Sequence, residues 1–167
     1  MERARDGRRA ALRSAWGVND DQYLVIAVPP VTRAAGTVIA AWGTLLIQKA
    51  VENVRFVLPP GDAEFDRVRR LFRDVGARDS LLMPITSTSL ADSAAASDIA
   101  IFLPRGPVEV DALCELAAVG THPLLLTQRA AAFVPADDRV RLCRENDPKD
   151  VARGLLWALE RLGVRIP

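Results

Sequence analysis

The sequence predicts an α/β fold, a three-layer sandwich built on a parallel sheet of about six strands. Three observations predict it. Short apolar runs alternate with helical patterns along most of the chain. A strand, helix, strand order requires crossover connections, and those make neighbouring strands parallel. The runs are continuously apolar rather than alternating, so helices should cover both faces of the sheet. A chain of 167 residues, 50% hydrophobic and 26% charged, is also long enough to bury one core without disulfides or metals.

Each element has its own signature. Residues 23–28 (YLVIAV) form a β-branched run closed by Pro29-Pro30, and read as the first strand. Residues 36–51 read as a helix apolar nearly all round, and so a buried one, with Trp42 in the core. Residues 55–58 are a second strand, closed by Pro59-Pro60-Gly61. Asp62 can cap the next helix, whose Phe65, Val68, Phe72 and Val75 fall on one stripe before Gly76 stops it. Residues 81–83 are a short third strand, and residues 87–97 a helix of small residues.

The second half repeats the alternation. Residues 99–103 (IAIFL) carry the strongest strand signal. Residues 109–119 read as a helix with Gly120 as its C-terminal cap; residues 124–127 and 140–143 complete the sheet. Asp147-Pro148 is an acidic N-cap followed by proline at the first helical position. The helix it opens carries Val151, Leu155, Leu159 and Leu162 on one face. The expected architecture is a Rossmann-like, doubly wound sheet in the order 3-2-1-4-5-6. Residues 1–18 form an N-terminal helix or linker remnant, and residues 19–167 a single domain. Arg3, Arg5, Arg8, Arg9 and Arg13 read as a solvated face of that helix, and Trp16 and Trp157 as covers for the edges of the sandwich.

Composition excludes several functions. The net charge of +1 gives no field for nucleic acid. One histidine, His122, and two cysteines, Cys114 and Cys143, do not supply a zinc site of the common kinds. Reduced, buried thiols are the better reading of the cysteines. The ten glycines never fall two apart, so the dinucleotide fingerprint is absent; no GxxxxGK(S/T) phosphate loop occurs either, and no cofactor is expected. The N-terminus is charged without an apolar run behind it, and residues 34–48 are too short and too polar to span a membrane. A cytoplasmic protein without a transmembrane segment is expected.

In such a sheet, ligands sit at the carboxyl ends of the strands, where the order reverses between strands 1 and 4. Residues 29–36 and 104–109 are the loops there. Around them the chain resembles the C-terminal, nucleotide-sugar-binding domain of the group 1 glycosyltransferases, the retaining enzymes of the GT-B fold. Five segments carry the resemblance in order: RRAALRSAWGVNDDQYLVIAV, VLPPGDAEFDRVRRLFRDVGARDSLLM, PITSTSLADSAAASDIAIFLP, CELAAVGTHPLLLT and ENDPKDVARGLLWALERL.

The resemblance implies a nucleoside diphosphate sugar, UDP-, GDP- or ADP-linked, as ligand. The second glutamate of the family's paired motif matches Glu115, where a carboxylate would accept hydrogen bonds from both ribose hydroxyls. An ordinary helical glutamate is the other reading of that residue. The first glutamate of the pair would stand at Pro107, with Glu109 as a nearby substitute or simply a solvated glutamate at a helix start. Gly36 matches the glycine that follows the family's clamp lysine. The clamp arginine and lysine positions hold Pro30 and Ala35. Arg33 and Arg105 are the remaining cations of the two loops, for phosphate contact or as surface arginines.

The resemblance further implies half of a two-domain enzyme. The acceptor half is then expected in a preceding domain or a partner chain, and the isolated chain is expected to be inactive. The alternative is a degenerate, non-catalytic scaffold or interaction domain, because fold and function are separable.

Overall fold

The apolar runs become strands where the sequence predicts them. The structure is a computed structural model that describes residues 2–27, 36–58, 64–83, 89–104, 111, 113, 123–134, 137–144 and 146–166. In chain order it has helix α1 (Glu2–Ala15), strand β1 (Tyr23–Ala27), helix α2 (Thr37–Ile47), strand β2 (Val54–Val57) and helix α3 (Phe65–Asp74). A 3-10 turn (Arg78–Ser80) leads into strand β3 (Leu81–Leu82). Then follow helix α4 (Leu90–Ala96), strand β4 (Ile99–Phe102), strand β5 (Leu124–Leu126), helix α5 (Gln128–Ala131), strand β6 (Val140–Leu142) and helix α6 (Pro148–Arg161). Of the helix expected over residues 109–119, Asp111 and Leu113 have helical backbone; its other residues lie outside the described ones.

The six strands form one sheet in the order β3-β2-β1-β4-β5-β6, every pair parallel. Val25 of β1 stands opposite Phe56 on one side and Ile99 on the other. Successive side chains alternate between two cores, as strand geometry requires. Val25, Phe56, Ile99 and Ile101 join Ala41, Phe72, Val151 and Leu155 beneath α2, α3 and α6. Leu24, Ile26, Ala100 and Phe102 join Ala94, Leu113 and Ala130 on the opposite face. Burial on both faces explains why the strands read as unbroken apolar runs.

The α2–α6 contact is close because Gly43 gives it room. A Cβ there would meet Val151 Cγ1 at 2.6 Å. Gly76, at φ 72°, ends α3 as expected.

Four local expectations need correction. Trp42 is 47% exposed, and Leu46 beside it is also exposed, so α2 is not buried all round. Its buried stripe is Ala40, Ala41, Thr44 and Ile47, and small residues there leave the bulky ones facing outward. Val75 likewise stands outside the α3 stripe, because the helix ends at Asp74 before the stripe comes round again.

Nor are all the arginines of α1 solvated. Arg13 is buried and donates to Asp98 Oδ2 at 3.0 Å, to the Ala96 carbonyl at 3.2 Å and to the Gln22 carbonyl at 2.6 Å. Arg9 pairs with the same Asp98 and donates to the Ser97 carbonyl at 2.7 Å. These guanidiniums collect carbonyls left open where α4 ends, which holds α1 against the sheet's second face. Trp16 and Trp157 are half-buried against the two cores, as edge covers should be.

The last correction concerns a cap. The N-cap position of α3 is Glu64, not Asp62, which lies outside the described residues.

Candidate functional site

The strand order reverses between β1 and β4, and the crevice at their carboxyl ends is the place where this architecture takes a ligand. Among the described residues at or next to these strand ends, Gly36, Leu103, Pro104 and Thr127 are all buried. Gly36 has φ 64° and ψ 14° as the N-cap of α2. That left-handed conformation favours glycine. The approach favours it too, since a Cβ on Gly36 would lie 2.7 Å from the Leu103 carbonyl oxygen. The glycine therefore brings the start of α2 directly against the end of β4.

Helix starts leave N–H groups without intrahelical partners. Gly36 supplies no side chain to serve them, and the first turn of α2 contains no acidic residue. A carboxylate arrives from elsewhere. Val38 N–H donates to Glu64 Oε2 at 3.1 Å, across 26 residues of sequence. Glu64 is 6% exposed. Its other oxygen accepts from the largely exposed Arg67 at 2.9 Å. Glu64 thus occupies the cap position of α3 but makes no side-chain cap bond to it, and instead reaches α2.

The next helix starts along the same edge cap themselves. The Thr127 hydroxyl accepts from Ala130 N–H at 3.2 Å. Asp147 accepts from Lys149 N–H at 2.9 Å and Asp150 N–H at 3.2 Å, with Pro148 at the first position. An open recess of about 750 Å³ lies here, lined by Gln128, Leu142, Cys143, Arg144, Asn146, Asp147 and Asp150. Asp150 pairs with Arg153 at 2.7 Å and accepts from Arg144 N–H at 2.9 Å. The Arg153 guanidinium, then that N–H, hold its carboxyl below the usual carboxylate range. Cys143 is buried and free. Burial, then the Asp150 charge, push its thiol up to about 12. The thiol is therefore held in its neutral form at neutral pH.

Of the sequence-predicted site residues, Gly36 is at the crevice. Arg33, Arg105, Glu109 and Glu115 lie outside the described residues, as do His122 and Cys114. Sequence reasoning missed Glu64. The available signal was a glutamate next to a helix start, but its partner lies on a different helix.

No helix among the described residues is long and apolar enough to cross a membrane. No family model matches the chain, and no curated protein matches it. Solved structures do. A glycosyltransferase from Rickettsia africae ESF-5 superposes with a TM-score of 0.76 at 12% identity, over 95% of this chain and 43% of that one. The C-terminal domain of LpcC, a group 1 family glycosyl transferase from Francisella tularensis, gives 0.70 at 13% identity, over 89% of this chain and 82% of that one. WaaG, a glycosyltransferase involved in lipopolysaccharide biosynthesis, gives 0.72 at 16% identity, over 93% of this chain and 43% of that one. The chain spans under half the length of the first and third, at 43% each, and most of the isolated C-terminal domain. At these identities the likeness is one of fold, and the chain has the fold of the C-terminal half of the group 1, GT-B glycosyltransferases.

Proposed function

We propose that this chain is the donor half of a glycosyltransferase. It binds a nucleoside diphosphate sugar, UDP-, GDP- or ADP-linked, in the crevice between β1 and β4. The observation that carries the reading is a contact: Gly36, on the family's glycine position, sets the start of α2 against Leu103 at the point of strand reversal. The ordered sequence resemblance and the shared fold support it. Glu115, by that resemblance, holds the ribose hydroxyls, with Glu109 as the other carboxylate and Arg33 and Arg105 as cations for the diphosphate.

The acceptor half comes from a separate domain or partner chain, and residues 19–167 with the N-terminal segment of residues 1–18 form the donor unit. Cytoplasmic work on a small-molecule donor, without nucleic acid, fits the near-neutral charge. Isothermal titration with UDP-, GDP- and ADP-sugars tests the reading. Saturable heat with one nucleotide class is expected, weakened at least tenfold (about 1.4 kcal/mol) by Glu115→Ala. No heat and no amide shift at millimolar ligand defeats it.

A second reading has its own observation. The clamp positions are Pro30 and Ala35, and the first glutamate position is Pro107. A leaving diphosphate deprived of such cations loses about 3 kcal/mol of transition-state stabilisation. A non-catalytic scaffold of the same fold is the outcome if that loss is complete. The Pro30→Arg, Ala35→Lys double variant separates the two readings. Donor binding that appears only in the variant favours the scaffold, and equal binding by the wild-type chain favours the donor half.

A further inference from the structure

The outer face of α2 carries apolar side chains that the crevice does not use. Trp42 and Leu46 stand one turn apart on it, 47% and 40% exposed. Val75, just past the end of α3, is 53% exposed. A single exposed apolar residue needs no explanation. These three line one groove of about 510 Å³, and apolar side chains gathered round a groove are what docking surfaces expose. The groove lies toward the amino ends of the strands. Gln48 on its wall donates to the carbonyl of Val54, the first residue of β2, at 2.8 Å. The crevice is at the carboxyl ends, so an occupant of the groove leaves the crevice open.

We propose that this groove docks a second copy of the chain, related to the first by a twofold axis. The charges at its rim choose that occupant. The rim holds one cation, Lys49, and one anion, Glu52, both exposed. Neither side chain has an ion-pair partner among the described residues. A strongly acidic partner would be repelled by Glu52, and a strongly basic one by Lys49. A surface that offers both signs at the same spacing is this surface itself. Turned about an axis through the groove, it sets Lys49 of each copy beside Glu52 of the other. The net charge of +1 adds little repulsion between copies. Trp42, the largest exposed apolar side chain of the groove, is the anchor. Three such side chains cover less than the roughly 800 Å² per partner of a standard interface, so the dimer is transient, with a Kd of about 0.1 mM. Both crevices stay open in it, and the proposal does not rest on the donor reading.

Sedimentation equilibrium of the full chain, from about 10 µM to about 1 mM, is the test. The wild-type chain should pass from monomer to dimer over that range. Trp42→Ala should weaken the dimer about tenfold. Lys49→Glu and Glu52→Lys each set like charges against each other across the axis, and each should weaken it about fivefold. All three positions are exposed, so the fold should survive the changes. The decisive sample is an equal mixture of Lys49→Glu and Glu52→Lys. Twofold pairing then sets two anions on one chain against two cations on the other, and the mixture should associate at least as tightly as the wild-type chain. A wild-type chain that stays monomeric throughout overturns the proposal and leaves the groove to a partner of other chemistry. Association that neither charge variant weakens, or a mixture no tighter than its components, also overturns it, because the copies would then meet through another surface.

Discussion

Two helices start on the same edge of the sheet, and they are capped in opposite ways. α6 is capped from within, by Asp147 at its N-cap and Pro148 at its first position. α2 begins at a left-handed glycine with no side chain, and its first turn is served by Glu64 from another helix. A self-capped helix start is autonomous, since its donors are satisfied wherever the helix goes. A start capped from a distance is conditional, because it is satisfied only when β1, α2 and α3 are already assembled. The conditional start is the one that faces the crevice, where a ligand is expected. The autonomous one follows β6, the edge strand, and its Pro148 and Val151 lie against Gly43 of α2.

The largest test of this contrast is Gly36→Ala. A side chain there must adopt φ 64° and place its Cβ 2.7 Å from the Leu103 carbonyl oxygen. Together the two effects should cost about 3 kcal/mol. Urea unfolding measures it. A loss below about 1 kcal/mol would mean that the α2 start shifts freely and that its contact with β4 is not obligatory.

The next test sets the two caps against each other. Asp147→Ala should cost about 1 kcal/mol, the usual worth of an exposed N-cap. Glu64→Ala should cost about 2 kcal/mol, because it removes a charged hydrogen bond in a buried setting. Thermal or urea unfolding of both variants under one condition gives the ratio. Equal losses would erase the distinction between remote and local capping.

How much of this was legible beforehand follows from the same distinction. Asp147-Pro148 could be read because a local cap and its helix are adjacent in sequence. Strand runs such as 23–27 and 99–102 could be read because burial on both faces leaves them continuously apolar. Their order could be read because parallel pairing and crossover helices leave few alternatives. What failed was whatever depends on which face meets which partner. Trp42 reads as core because α2 is apolar on all sides, which leaves its buried stripe undetermined. Arg9 and Arg13 read as solvated because their partner Asp98 lies 89 and 85 residues away in sequence. Glu64 is not legible from sequence because its side chain serves α2, 26 residues away, rather than the helix whose cap position it holds. Of the site, Gly36 could be read from its place after strand 1; the carboxylate facing it could not.

The smallest test uses the first turn of α6. Cys143 lies beneath it, its sulfur 3.9 Å from the Asp150 carbonyl. Burial and then the Asp150 charge raise the thiol from 9.0 to about 12. Between those values the unfolded chain releases a proton that the folded chain keeps. The stability contributed by the neutral thiol is therefore complete below the unfolded value and falls as pH rises toward the folded one. At about pH 9.5 the loss should be about 0.8 kcal/mol relative to neutral pH. Cys143→Ala removes this dependence whatever it does to absolute stability, so the informative quantity is the difference between the two pH profiles. Parallel profiles from about pH 8 to about pH 10 would show that the thiol ionises without opening the α6 start. The α6 start would then be indifferent to the charge beneath it, whereas the full loss of about 0.8 kcal/mol would make even a self-capped start conditional on the neutral thiol under it.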